Sequence, residues 1–144
     1  MALITRNHPR LTLEGGCAVL AAAERRAEEI RVPMNIAVVD DGGHLLSFAR
    51  MDGAKPASIA IAMVKAQAAA MRRAPTGPAM SGDQVNVPIA LGLAVAASTH
   101  QTPIRGGIPL VVEGQVVGAI GVSAGTEDQD YEVAQAGAAA LPKT

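Results

Sequence analysis

Two stretches decide the fold of this chain: Asn35–Gly53 (NIAVVDDGGHLLSFARMDG) and Gly106–Asp130 (GGIPLVVEGQVVGAIGVSAGTEDQD). Each sets a β-branched apolar run against a second run across a Gly-containing turn, DDGG at Asp40–Gly43 and EG at Glu113–Gly114. That is the short-range pattern of a hairpin. Both stretches close on polar residues, RMD and SAGTEDQD, and polar groups at strand ends are where a small domain keeps its binding chemistry.

Working outward, the spacing predicts a helix over Thr12–Ile30, with Leu13, Cys17, Leu20 and Ala21 as its apolar positions and Glu24, Arg25, Arg26, Glu28 and Glu29 as its solvated face. The Glu24/Glu28 pair beside two arginines reads as surface charge. Pro33 ends this helix and launches strand 35–39, and the strand after the DDGG turn spans His44–Arg50. A second helix is expected from near Pro56 to about Arg73, with Ile59, Ala62, Met63, Ala66 and Ala70 facing the core. Lys65 falls off the middle of that stripe and can reach the core edge or a cleft beside it. The segment Ala74–Pro88, with three prolines and two glycines, reads as an irregular loop, and Ile89–Thr99 as a short small-residue helix interrupted by Gly92. The second hairpin uses strands Ile108–Val112 and Gln115–Val122. The T-x-x-Q at Thr126–Gln129 is a capping box that opens a last helix to about Leu141. The whole reads as one domain over residues 1–144, an antiparallel sheet from two hairpins flanked by helices.

Composition narrows the function classes. The 144 residues carry 12 basic and 13 acidic side chains, so no electrostatic attraction to nucleic acid or anionic lipid is expected. Phe48 and Tyr131 are the only aromatics, too few for the stacking platforms of single-stranded nucleic acid binding. The single cysteine, Cys17, forms no internal disulfide and reads as a small buried hydrophobe in a reducing cytoplasm. No apolar run is long enough to span a bilayer, and no partner in the membrane is expected. Alanine and glycine dominate the apolar fraction; a core of such residues needs close backbone approach and gains burial across a subunit interface, so a homo-oligomer is expected.

Several constellations carry candidate chemistry. Arg105 with Gly106 and Gly107 forms a turn where backbone can approach a ligand closely and a guanidinium can grip a carboxylate. The SAGT loop at Ser123–Thr126 enters a helix N-terminus, but Glu127 and Asp128 already complement that dipole and disfavour phosphate. Neither the P-loop nor the dinucleotide fingerprint is present. His8, His44 and His100 have no zinc-site spacing, so no metal is expected. There is no C-x-x-C-H for covalent haem, whereas non-covalent haem needs one axial donor and an apolar slot, which His44 or His100 can supply. Arg50, Asp52 and Lys65 form the best enzymatic cluster, with acid, base and carboxylate clamp at a hairpin end beside a helix; the structural alternative is an Arg–Asp or Lys–Asp bridge that fastens the second helix to the sheet.

The segments AVVDDGGHLLSFARMDGA (37–54), SIAIAMVKA (58–66), GGIPLVVEGQVVGAIGVSAGTEDQD (106–130) and EVAQAG (132–137) together resemble the HbpS/GlcG-like haem-binding family, which includes the C-terminal domain of PduO-type proteins. The resemblance implies a profilin-like fold and a homo-oligomer. It also implies haem binding and redox sensing for some relatives, and a place among catabolic genes for others. Between Ala68 and Arg105 the chain departs from the family pattern: aromatics that many relatives carry after the helix-two lysine are missing. Arg72, Arg73, His100 and Arg105 would suit an anionic ligand there.

Three functional readings follow. The first is a small-molecule binder, with haem as cofactor, held by His100 or His44 with propionates near Arg105. The second is a cofactor-independent isomerase, hydratase or lyase acting on a small carboxylate through Lys65, Asp52 and Arg50. The third is a non-catalytic accessory subunit.

Overall fold

Thr12 opens the first helix by accepting the Gly15 N–H on its hydroxyl, and α1 then runs Leu13–Glu29. The computed structural model describes residues 1–143, apart from the Thr99 side chain. After α1 come β1 (Asn35–Asp40), β2 (Leu45–Arg50) and α2 (Ser58–Arg72). A two-residue ladder, β3 (Met80–Ser81) with β4 (Gln84–Val85), leads into α3 (Val87–Ala96) and a 3₁₀ turn at Ser98–His100. The chain finishes with β5 (Gly107–Val112), β6 (Gln115–Ser123) and α4 (Glu127–Ala138).

The two hairpins join into one four-stranded antiparallel sheet in the order β2-β1-β6-β5. Local chemistry sets each turn. The Asp40 carboxylate accepts the N–H groups of Gly42 and His44, and Gly43 takes φ 83°. Glu113 and Gly114 both have positive φ, 51° and 75°, as the tight I′ hairpin turn requires. The capping box is present too: Thr126 accepts the Gln129 N–H while Gln129 accepts the Thr126 N–H.

Helix α2 packs on one face of the sheet, and α1 with α4 on the other. Strand β1 is covered on both faces, so Asn35, Ile36, Ala37, Val38 and Val39 are all buried. On the α1/α4 face the core is built from Val19, Ile36, Val38, Ile120, Val122 and Val133. On the α2 face it is almost entirely small: Ala37, Ala62, Ala66, Ala69, Ala70 and Ala119, with Val39. Such residues bury little area each, so helix and sheet must come close for dispersion contacts to accumulate. They do: a Cβ added at Gly121 would overlap the backbone of Ala62 and Ala66.

Three expectations are corrected. The buried face of α1 is Gly16, Val19, Ala23 and Ala27, whereas Leu13, Cys17 and Ala21 are exposed. The smaller side chains won because they let α4 approach: a Cβ at Gly137 would stand 3.1 Å from the Val19 carbonyl and 3.2 Å from the Ala23 methyl. In α2 the buried positions shift by the same logic, with Ile59 and Met63 only half-buried and Lys65 buried. Finally, the segment 74–88 is not wholly irregular. Gly82 at φ 63° turns the β3–β4 ladder, and Asn86 caps α3 by accepting the Ile89 N–H, with Pro88 in the first turn where it displaces no helical bond.

Candidate functional site

Lys65 lies in the middle of α2, and its side chain is only 1% exposed. A buried ammonium must be paired and hydrogen-bonded. Its Nζ donates to the Asp130 carboxylate at 2.7 Å and to the Val122 carbonyl at 2.9 Å. Asp130 also accepts the Gly125 N–H through its other oxygen, at 2.9 Å. One ion pair therefore ties α2, the end of β6 and the first turn of α4 together. Burial pushes the Asp130 carboxyl above its ordinary pKa, and the bonds from Lys65 and Gly125 oppose that rise only in part.

The glycine pair serves this same contact. A Cβ at Gly106 would lie 2.7 Å from the Val122 carbonyl, 2.9 Å from the Asp130 Cβ and 3.0 Å from the Lys65 Nζ. A Cβ at Gly107 would overlap the Lys65 backbone. The close approach that the two glycines allow is thus taken up by α2 and its lysine. Thr76 closes the seam by accepting the Gly107 N–H at 2.9 Å.

The structure does not bring Arg50 and Asp52 to Lys65. The lysine's carboxylate partner is Asp130, while Arg50 and Asp52 line a groove against the C-terminal turn of α1. The sequence signal for Asp130 was present: Asp130, Val133, Ala134 and Gly137 recur at helical spacing, and all four are buried. Reading the acidic turn only as capping hid the inward one of its carboxylates. Asn35 was also missed. Its Nδ2 donates to the Lys55 carbonyl at 2.9 Å, while its Oδ1 is buried and, among the described residues, unpartnered.

Arg105 is already engaged. Its guanidinium donates to Asp128 at 2.6 Å and lies 4.5 Å from the Tyr131 ring centroid, and its N–H donates to Glu127. His44 is exposed on the β1–β2 turn. His100 is half-buried at the end of the 3₁₀ turn, directly before Gln101 and Thr102. Those two residues line two neighbouring depressions. One is walled by Arg72, Ala90, Leu93 and Ala94; the other is apolar, with Ala60, Ile61, Val64 and Ile104. Arg72 makes no ion pair among the described residues. A half-buried guanidinium at the end of α2 and an apolar surface along α2 therefore both adjoin the Gln101–Thr102 segment that follows His100.

No helix among the described residues is long and apolar enough to cross a membrane, and no group of three or more metal-ligating side chains occurs among them.

A mixed α+β domain with this sheet order defines a class, and comparison with known proteins places the chain within it. The family of haem degrading proteins described as HbpS-like matches residues 11–139, and the chain belongs to that family. Protein GlcG of Escherichia coli (strain K12) is 40% identical over 113 residues, covering 78% of this chain and 81% of that protein. The crystal structure of Klebsiella pneumoniae protein ORFY superposes with a TM-score of 0.81 at 31% identity, over 96% of this chain and 97% of that one. A PduOC:haem complex superposes with a TM-score of 0.79 at 25% identity, over 92% of this chain and 96% of that one.

Proposed function

We propose that this protein binds haem non-covalently against the apolar surface formed by α2 and Ile104, where His100, just before Gln101 and Thr102, would supply an imidazole. The observation that carries the reading is the haem complex of a relative that shares the fold over nearly the whole chain. The residue types in this region suit the group. His100 offers an imidazole, Arg72 offers a guanidinium for a propionate, and Ile61, Val64 and Ile104 offer apolar surface for the macrocycle. Arg72 replaces Arg105 in this role because Arg105 already faces Asp128 and Tyr131. Bound haem would supply one-electron and oxygen chemistry at its iron, while these residues hold it, orient it and limit its contact with water.

The apolar depression beside α2 is open, and a second copy of the chain would close it. Support for a homo-oligomer comes from α3, whose sequence VPIALGLAVA is apolar on every side although none of its residues is buried. A helix of that kind belongs in the interior of something larger than one such domain. Titration of the purified protein with haemin is expected to give a saturable Soret shift that His100→Ala weakens and His44→Ala leaves in place. A shift that survives the loss of both histidines, or no shift at all, would sink the reading.

A further inference from the structure

The C-terminal end of α1 is built in a way that its own stability does not explain. The Val32 N–H bonds the Ala27 carbonyl and the Arg31 N–H bonds the Glu28 carbonyl, the paired bonds of a Schellman ending, with Arg31 at φ 59°. Glycine fills that left-handed position without steric cost, and arginine does not. What arginine adds is a guanidinium on the wall of a groove of about 530 Å³, a size suited to a small ligand.

The floor of this groove is apolar and fixed. Met51, beside Ala27 and Val32, is pinned because its sulfur accepts the Met34 N–H at 3.4 Å and its own N–H donates to the Met34 carbonyl at 3.0 Å. The walls are charged with both signs: Glu24 and Glu28 from α1, Arg31 just past its end, Arg50 from the end of β2 and Asp52 just beyond it. Two arginines and three acidic residues thus line one groove, and none of them forms an ion pair within 4 Å among the described residues.

We propose that this groove binds a small zwitterion, a molecule that carries a carboxylate and an amine on a short apolar spacer. Arg31 and Arg50 take the carboxylate, Glu24, Glu28 and Asp52 take the ammonium group, and the spacer lies over Met51 and Val32. A dianion would meet three carboxylates here, a diamine would meet two guanidiniums, and an uncharged ligand would strip water from five charges without replacing their partners. The proposal stands apart from haem binding, since it shares no residue with the apolar surface of α2 and Ile104.

The test uses the full chain and three probes of matched length: 5-aminovalerate, valerate and pentylamine. In two-dimensional amide spectra, 5-aminovalerate is expected to shift Arg31, Val32 and Met51 saturably, with each half-analogue bound at least about tenfold more weakly, since each engages one set of charges. Arg31→Gly relieves the strained cap and so preserves the fold, yet it should weaken 5-aminovalerate by about tenfold; Arg50→Gln should do the same. Equal affinity for the zwitterion and its halves would overturn the proposal, as would the absence of saturable shifts or an Arg31→Gly variant that binds as the parent does. A change in sedimentation mass on Arg31→Gly, without any effect of 5-aminovalerate, would overturn it in favour of a contact between copies.

Discussion

The seam where α2 meets α4 and the arm that carries α3 reverse the usual order of burial. In the seam a lysine and an aspartate are 1% and 4% exposed. On the arm, Val87, Ile89, Leu91, Leu93 and Val95 all stand in solvent. The seam is closed within one chain because the Lys65 ammonium finds two acceptors, and Gly106 and Gly107 leave room for the helix that brings it. The arm finds no such closure, since its residues are apolar and the nearest surface of the chain covers none of them completely. The contrast teaches that burial follows from satisfied partners and available space, not from side-chain type alone.

The largest expected effect comes from breaking the seam. Lys65→Ala leaves a buried carboxylate uncompensated and should cost about 3–5 kcal/mol in urea unfolding. Lys65→Met combined with Asp130→Leu should recover most of that loss, because two apolar groups need no partners. A recovery would separate the packing of the seam from its charge. Next, Gly121→Ala forces a methyl into the Ala62–Ala66 backbone and should cost about 1–3 kcal/mol, again read from the unfolding midpoint. Thr126→Ala removes the cap of the helix that holds Asp130 and should cost about 1 kcal/mol.

A smaller effect concerns pH. Asp130 has a folded pKa raised by burial, so it binds protons more readily folded than unfolded. Its contribution is therefore fully present below the ordinary aspartate pKa of about 3.9 and is lost as pH rises through the raised value. Carbon-detected titration of the Asp130 carboxyl should find its midpoint above that ordinary value; a midpoint below it would mean that the Lys65 bond outweighs desolvation. The smallest effect on stability belongs to the arm. Leu91→Glu with Leu93→Glu should change the stability of the folded chain by no more than about 0.5 kcal/mol, since both side chains are exposed. The same pair should lower the sedimentation mass if α3 packs against other copies. A loss of several kcal/mol with unchanged mass would remove the contrast between seam and arm.

Much of the fold was legible in the chain. The DDGG and EG turns, the two hairpins and the Thr126 capping box depend on residues within a few positions of one another, and their geometry follows from local dihedral and hydrogen-bond preferences. The small-residue composition also implied close backbone approach, which Gly121 and Gly137 bear out. The candidate site was legible only in pieces. Lys65, Gly106 and Gly107 were singled out, but as parts of two different sites, and Asp130 was read only as part of the helix cap.

Local sequence thus determined the main helices, the two hairpins with their turns and the family to which the chain belongs. Only the tertiary structure decided which face of α1 is buried, that Lys65 pairs with Asp130 and not with Asp52, and that Arg50 and Asp52 face α1 across a groove. The physical reason is distance along the chain. Lys65 and Asp130 are 65 residues apart, and their pairing depends on where the Gly106–Gly107 backbone lets α2 pass. No periodicity within either helix encodes that clearance; it exists only once the sheet has joined the two hairpins.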